Sequence, residues 1–278
     1  MINMQRYNKI SLTKFVATVC KIIGIEKPHG ADEPMDWVCD VMDDLCKDGY
    51  DRVLIHNPDA MGMFLYQEFP DMFEPVLKHT QLTVPFQTVM PSVTPVCFAT
   101  MFTGVLPEVH GIQAYEKPVL TVDTFFDALV RAGKKVAIVA TIHSSMSKIF
   151  DKGNFDIFIE DTEANVVEKA QELIIEDQYD VLCVYTIGYD NREHYCGPHT
   201  PIALATAYRE CGIFDQLVSL VKRNWKHHNT LLTFSPDHGC HEEEGISKKG
   251  IPIHGKHGSD RTVDINILHY FGVARRTK

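Results

Sequence analysis

No apolar run in this sequence is long enough to cross a membrane, and the first nine residues lack the apolar stretch of a secretory leader. Basic residues are in deficit. There are 27 Lys and Arg against 37 Asp and Glu, a net charge of −10, which excludes a surface that coats nucleic acid. It leaves room for a small anionic substrate, because a bound divalent ion reverses the local potential. The eight cysteines (20, 39, 46, 97, 183, 196, 211 and 240) include no C-x-x-C pair, and Cys20, Cys97 and Cys183 lie within apolar runs. They read as small core residues in a reduced, cytoplasmic compartment, with Cys196 and Cys240 set apart because each adjoins a candidate metal ligand. There is no internal repeat, low-complexity tract or interdomain linker. The remaining description is a globular chain of 278 residues with ordinary apolar (45%) and charged (23%) content.

What is present alternates in period. Short apolar runs at 52–56, 135–141, 155–159, 179–185 and 230–234 read as buried strands, and helical spacings at 95–103, 123–132, 163–176 and 201–223 separate most of them. That alternation predicts an α/β fold, a three-layer sandwich whose mostly parallel central sheet is covered by helices on both faces. Two further helical patterns, at 10–24 and 37–45, make residues 1–50 an N-terminal helical cover on a core spanning 51–278. The 263–271 run reads equally as a strand or a helix.

In such sheets ligands bind beyond the C-terminal ends of the strands, so the strand ends hold the candidate chemistry. After 230–234 comes Ser235-Pro236-Asp237-His238-Gly239, then His254, His257 and Asp260. A carboxylate beside an imidazole suits a divalent metal, though it also serves as a polar loop capping a strand. Asp59 follows the 52–56 strand and on its own reads first as a turn residue or helix cap. Asp190 and His194 follow the 179–185 strand, four residues apart. Thr94 precedes Pro95 where a helix starts, which makes it a natural N-cap and equally a hydroxyl placed at the positive end of a helix.

Taken in order, these pieces resemble the alkaline-phosphatase superfamily, in its type I phosphodiesterase/nucleotide pyrophosphatase branch. The resemblance is carried by Pro91, Thr94, Thr103-Gly104 and Pro107-Glu108-Val109-His110-Gly111. It continues through Asp190, His194, Gly197-Pro198, then Ser235 to Gly239, and His257-Gly258-Ser259-Asp260. It implies an alkaline-phosphatase-like core without a large cap, and two divalent ions, zinc with manganese as the alternative. One ion would be held by Asp59, Asp237 and His238, with Thr94 bridging toward it as the nucleophile. The other would be held by Asp190, His194 and His257, with His254 as the rival for the last place. His110, His143, His199 and His241 are read as structural. The implied activity is hydrolysis of a phosphodiester, a nucleotide pyrophosphate or a related phosphonate ester through a phospho-threonine, with a phosphomonoesterase, a phosphomutase or a non-catalytic binding protein as alternatives. The expected partner is a small phosphorylated or phosphonate substrate, with neither nucleic acid polymer nor membrane.

The pattern also departs from that branch. Tyr115 stands where an Asn that contacts the phosphoryl oxygen is usual, and Ala60 stands where Gly is common. Only eighteen residues separate His238 from His257, which leaves specificity to loops at 60–75, 111–122 and 240–256. Thr94 and Phe98 replace the Cys or Ser and the following Arg of the sulfatase branch.

Overall fold

The computed structural model describes residues 6–246 and 250–277. Residues 1–5 of the leader reading and 247–249 of the 240–256 loop lie outside them. The strands are β1 (Ile10–Ser11), β2 (Arg52–Pro58), β3 (Leu82–Gln87), β4 (Val136–Thr141), β5 (Asp156–Glu160), β6 (Val181–Thr186), β7 (Thr230–Phe234), β8 (His241–Ile246), β9 (Pro252–Lys256) and β10 (Asn266–Ala274). Eight of them form one sheet in the order β1-β3-β10-β7-β2-β6-β4-β5, and β8 pairs with β9 as a separate antiparallel hairpin. In the large sheet β10 runs against both its neighbours, and every other pair is parallel.

Alternation along the strands distributes side chains to the two faces. Val53, Ile55, Val181, Cys183 and Ile138 point into one core, shared with the helices Lys14–Ile22, Asp36–Leu45, Thr94–Thr103 and Phe125–Arg131. Leu54, Leu182, Val184, Ala137 and Val139 point into the other, shared with the helices Glu163–Glu176 and Pro201–Asn224. The result is the three-layer α/β arrangement that the sequence pattern predicts. The central strands β2, β6 and β7 are buried throughout, which is why they read as unbroken apolar runs.

Several elements differ from the sequence reading. The 10–24 segment is helical only from Lys14, because Ile10 and Ser11 pair in parallel with Phe86 and Gln87. Strand β3 was not foreseen: Pro85 sits inside it, and proline removes a ladder donor. It is tolerated because β1 reaches only Phe86 and Gln87 and leaves that edge open beside Pro85. The 263–271 run resolves into both alternatives, one helical turn at Thr262–Ile265 and then β10. Residues 60–75 are not a free specificity loop, since Met61, Phe64, Leu65, Met72 and Phe73 are buried in the second core.

Candidate metal centre

Strand order decides what meets at the rim. β2 lies between β6 and β7, with His56 opposite Phe234 and Pro58 opposite Thr186. The Asp59 amide continues the ladder to Thr186 O at 2.9 Å, and the Ser235 amide bonds His56 O at 2.8 Å. The chain therefore leaves β2, β6 and β7 at one edge, carrying Asp59, the Gly188–Cys196 helix and Asp237-His238 together. Gly239 is required by packing. A Cβ there would stand 2.0 Å from Val263 O and 2.9 Å from Gly62 Cα.

Asp59, Asp237 and His238 form one group of potential ligand atoms, all within 4.8 Å of one another and all buried. His238 Nε2 lies 3.4 Å from Asp59 Oδ1 and 3.3 Å from Asp237 Oδ2. Thr94 Oγ1 lies 3.3 Å from His238 Nε2 and 3.4 Å from Asp59 Oδ2. Thr94 is not the N-cap that the sequence reading allows. Val93, in extended conformation, precedes the helix, Thr94 is its first residue, and no side chain caps it. With Pro95 lacking an amide hydrogen, the Thr94 hydroxyl is free to face the rim. Every residue of the Thr94–Thr103 helix is buried, so this hydroxyl is mounted on the core itself.

The second group is Asp190, Glu193, His194 and His257. Asp190 Oδ1 lies 3.5 Å from His194 Nε2 and 3.4 Å from His257 Nε2. The two groups touch through stacked imidazoles, His238 and His257, with ring centroids 4.1 Å apart.

The donor set fits divalent ions on three observations. Each imidazole turns Nδ1 to a backbone carbonyl: His194 to Gly255 O at 2.9 Å, His257 to Ser92 O at 3.1 Å and His238 to Gly239 O at 3.1 Å. That arrangement selects the tautomer whose Nε2 lone pair is available to a metal. The buried oxygens Asp59 Oδ1, Asp190 Oδ1 and Asp237 Oδ2 have no hydrogen-bond partner. Finally, the 3.3–3.5 Å spacings exceed a good hydrogen bond. They approach the edge of about 3.3 Å of a tetrahedron built from 2.0–2.1 Å bonds.

The electrostatics agree. Burial, and then the Asp190 charge, push the Asp59 carboxyl up to about 7, against the pull of the Tyr185 hydroxyl. Burial and then Asp59 push Asp237 well above the usual carboxylate range. Burial also opposes the charge on Asp190, but His257 and His194 hold its carboxyl well below that range. Burial, followed by His257, drives the His238 imidazole well below its ordinary value. The carboxylates exceed the positive charge available to them.

His254 is apart from both groups, pairing with Glu244 at 2.7 Å. Neither Cys196 nor Cys240 joins a group among the described residues; Cys196 Sγ lies 3.0 Å from Arg192 O, and Cys240 is buried 3.7 Å from Tyr189 Oη. His110 bonds Thr100 Oγ1 at 3.0 Å, and His241 bonds Asp264 Oδ1 at 2.7 Å. Tyr115 is 64% exposed. The Lys117 ammonium lies 5.1 Å from its ring centre and donates to His143 O at 2.8 Å. Burial pushes the Tyr115 phenol up and the Lys117 ammonium down, and the Asp59 and Asp190 charges contribute less to both. Ala60 has φ +63°, a left-handed conformation that accounts for glycine being usual after the aspartate. Sequence reasoning missed Tyr185 and Glu193. Tyr185 resembles any buried strand residue, whereas Glu193 had a signal, its position on the same helical face as Asp190 and His194.

No protein-family model matches the chain, and no curated protein matches it by sequence. Solved structures match its fold. Murine ectonucleotide pyrophosphatase/phosphodiesterase 5 superposes with a TM-score of 0.62 at 13% identity, covering 80% of this chain and 88% of that one. The same murine protein as an inactive threonine-to-alanine variant, in complex with AMP, gives 0.62 at 14% identity, covering 80% and 88%. Phosphonoacetate hydrolase from Sinorhizobium meliloti 1021, in complex with phosphonoformate, gives 0.51 at 18% identity, covering 73% and 60%. At these identities the likeness is one of fold.

Proposed function

We propose that this chain, which has the alkaline-phosphatase-like fold, is a metal-dependent hydrolase of a phosphodiester, nucleotide pyrophosphate or related phosphonate ester. In this reading Thr94 is the nucleophile. Asp59, Asp237 and His238 hold one divalent ion, and Asp190, His194 and His257 hold a second. The observation that carries the reading is the buried Thr94 hydroxyl, 3.4 Å from Asp59 Oδ2 and 3.3 Å from His238 Nε2, on the first residue of a helix. The names of the fold's solved relatives support it, as does the threonine replaced in the inactive AMP complex.

Ions in these two sites, zinc or manganese, would supply positive charge for the phosphoryl oxygens and favour the ionised hydroxyl. The chain's own residues do the rest. The helix that starts at Thr94 directs its positive end toward an attacked anionic group. The Thr94 hydroxyl donates toward Asp59 Oδ2, which the Tyr185 hydroxyl holds in place. Thr94 Oγ1 gives up its proton and bonds to phosphorus as the ester oxygen leaves and takes up a proton; water then cleaves the Oγ1–phosphorus bond, its hydroxyl going to phosphorus and its proton to Thr94. Residues 51–278 would carry this chemistry, with 1–50 as a cover. The eight unpaired cysteines fit a reducing, cytoplasmic setting.

Lys117 favours a second reading. Its half-buried ammonium, which the Asp59 and Asp190 charges favour, suits a substrate with an additional anionic oxygen, as in a phosphomonoester or a carboxylated phosphonate. Assays of bis-p-nitrophenyl phosphate, p-nitrophenyl phosphate and a p-nitrophenyl phosphonate ester, with and without zinc or manganese, separate the two. Turnover of none of them, with two ions bound, would leave a binding protein.

A further inference from the structure

Glu193 is an acidic side chain with no exposed surface. Neither oxygen of its carboxylate has a hydrogen-bond partner. Its Oε1 lies 3.2 Å from His194 Nδ1, but that nitrogen is already directed at Gly255 O at 2.9 Å. β9 closes over the carboxylate: a Cβ on Gly255 would stand 2.1 Å from Glu193 Oε2. Water is thereby excluded from a group that would otherwise use it for solvation. An ionised carboxylate in that setting is strongly unfavourable unless a cation accompanies it, and without one the group takes up a proton.

The Gly188–Cys196 helix supplies the direction. Positions 190, 193 and 194 are related as i, i+3 and i+4 and lie on one face. Potential ligand atoms of Asp190, Glu193, His194 and His257 all lie within 4.8 Å of one another.

We infer that Glu193 is a fourth protein ligand of the ion held by Asp190, His194 and His257. The inference rests on the metal-site reading above and deepens it. Two carboxylates balance the charge of a divalent ion, and the added oxygen donor moves the site's preference from zinc toward manganese. The same ligation explains why an acidic residue is buried between a helix and a hairpin.

The test uses the full chain stripped by chelator and titrated with Mn2+, followed by electron paramagnetic resonance, and with Co2+, followed by visible absorption. The parent binds two equivalents. Glu193→Gln weakens one equivalent by about tenfold or more and changes the Co2+ spectrum of that equivalent, leaving the other unchanged. Glu193→Asp, which keeps the charge but shortens the reach, gives the same result and serves if the Gln variant does not fold. Unchanged affinity and spectrum overturn the inference. So does weaker binding with an unaltered Co2+ spectrum, because the carboxylate would then act behind His194 and not on the ion. Asp190→Asn is the control: if it too leaves both equivalents unchanged, the metal-site reading fails. If it removes an ion that Glu193→Gln does not disturb, only the role of Glu193 fails.

Discussion

Tyr185, near the end of β6, donates its phenolic hydrogen to Asp59, the residue after β2, across 126 positions of chain. Both are buried, so the bond is made in a low-dielectric environment and favours the ionised carboxylate. Tyr185→Phe removes that donor and lets burial raise the Asp59 carboxyl further. Protons then compete with metal up to a higher pH. The acidic limb of the pH–rate profile is expected to move upward, with activity near neutrality falling about tenfold, equivalent to about 1.4 kcal/mol of a hydrogen bond to a charged group. A profile superimposable on the parent's would show that Tyr185 does not tune Asp59.

Thr94→Ala is expected to lower hydrolysis of the best substrate by at least about a thousandfold, as loss of a nucleophile does. Metal content should be retained, because the carboxylates and imidazoles remain. Mass-spectrometric metal analysis beside a turnover assay checks both halves. Parent-like turnover would rule Thr94 out as nucleophile.

Lys117→Gln tests the Lys117 charge. The ratio of kcat/KM for p-nitrophenyl phosphate to that for bis-p-nitrophenyl phosphate should fall about tenfold, since a charge-assisted contact matters most to the more anionic ester. A constant ratio would place Lys117 off the substrate.

Removing metal should destabilise the fold. Asp59, Asp190 and Asp237 each keep an unpartnered buried oxygen, and an ion bound only to the folded chain stabilises by mass action. At 100 times the dissociation constant that is about 2.7 kcal/mol. Scanning calorimetry with chelator, then with restored zinc or manganese, should show a lower Tm that recovers. Asp59→Asn should blunt this response.

An acidic pair outside the two ligand groups, Glu210 and Glu163, gives a further pH signature. Glu210 is fully buried, and burial followed by Glu163 pushes its carboxyl up to about 8. Its folded value lies above the ordinary 4.5, so the folded chain holds the proton more tightly than the unfolded chain. The resulting stability is complete below pH 4.5 and is lost as pH rises through 8. Glu210→Gln stays neutral throughout. The variant should match the parent near pH 4.5 and exceed it at pH 8, by an amount on the order of 1–3 kcal/mol. Urea unfolding at the two pH values measures the gap, and a gap independent of pH would contradict the assignment.

Much of the scaffold was legible without coordinates. Buried parallel strands read as continuous apolar runs, which marked Val53, Val181 and Leu231 as core, and amphipathic spacing marked the helices between them. The same reasoning made the residues beyond 56, 185 and 234 the place to look for chemistry. It failed where local pattern and tertiary context disagree. Pro85 disguised β3, the two-residue β1 was too short to register against a helix, and the 254–257 stretch left two histidines as rivals.

Local periodicity determined which segments are strands and which positions end them. Only the tertiary structure decided that β2 lies between β6 and β7, which brings Asp59, Asp190 and Asp237 to one edge. It alone set Tyr185 against Asp59, closed Gly255 over Glu193 and put His257, not His254, beside His238. Period and propensity act over a few residues, whereas β2 meets partners 128 and 178 positions away (Val53 opposite Val181, Arg52 opposite Thr230), chosen by how two whole faces pack.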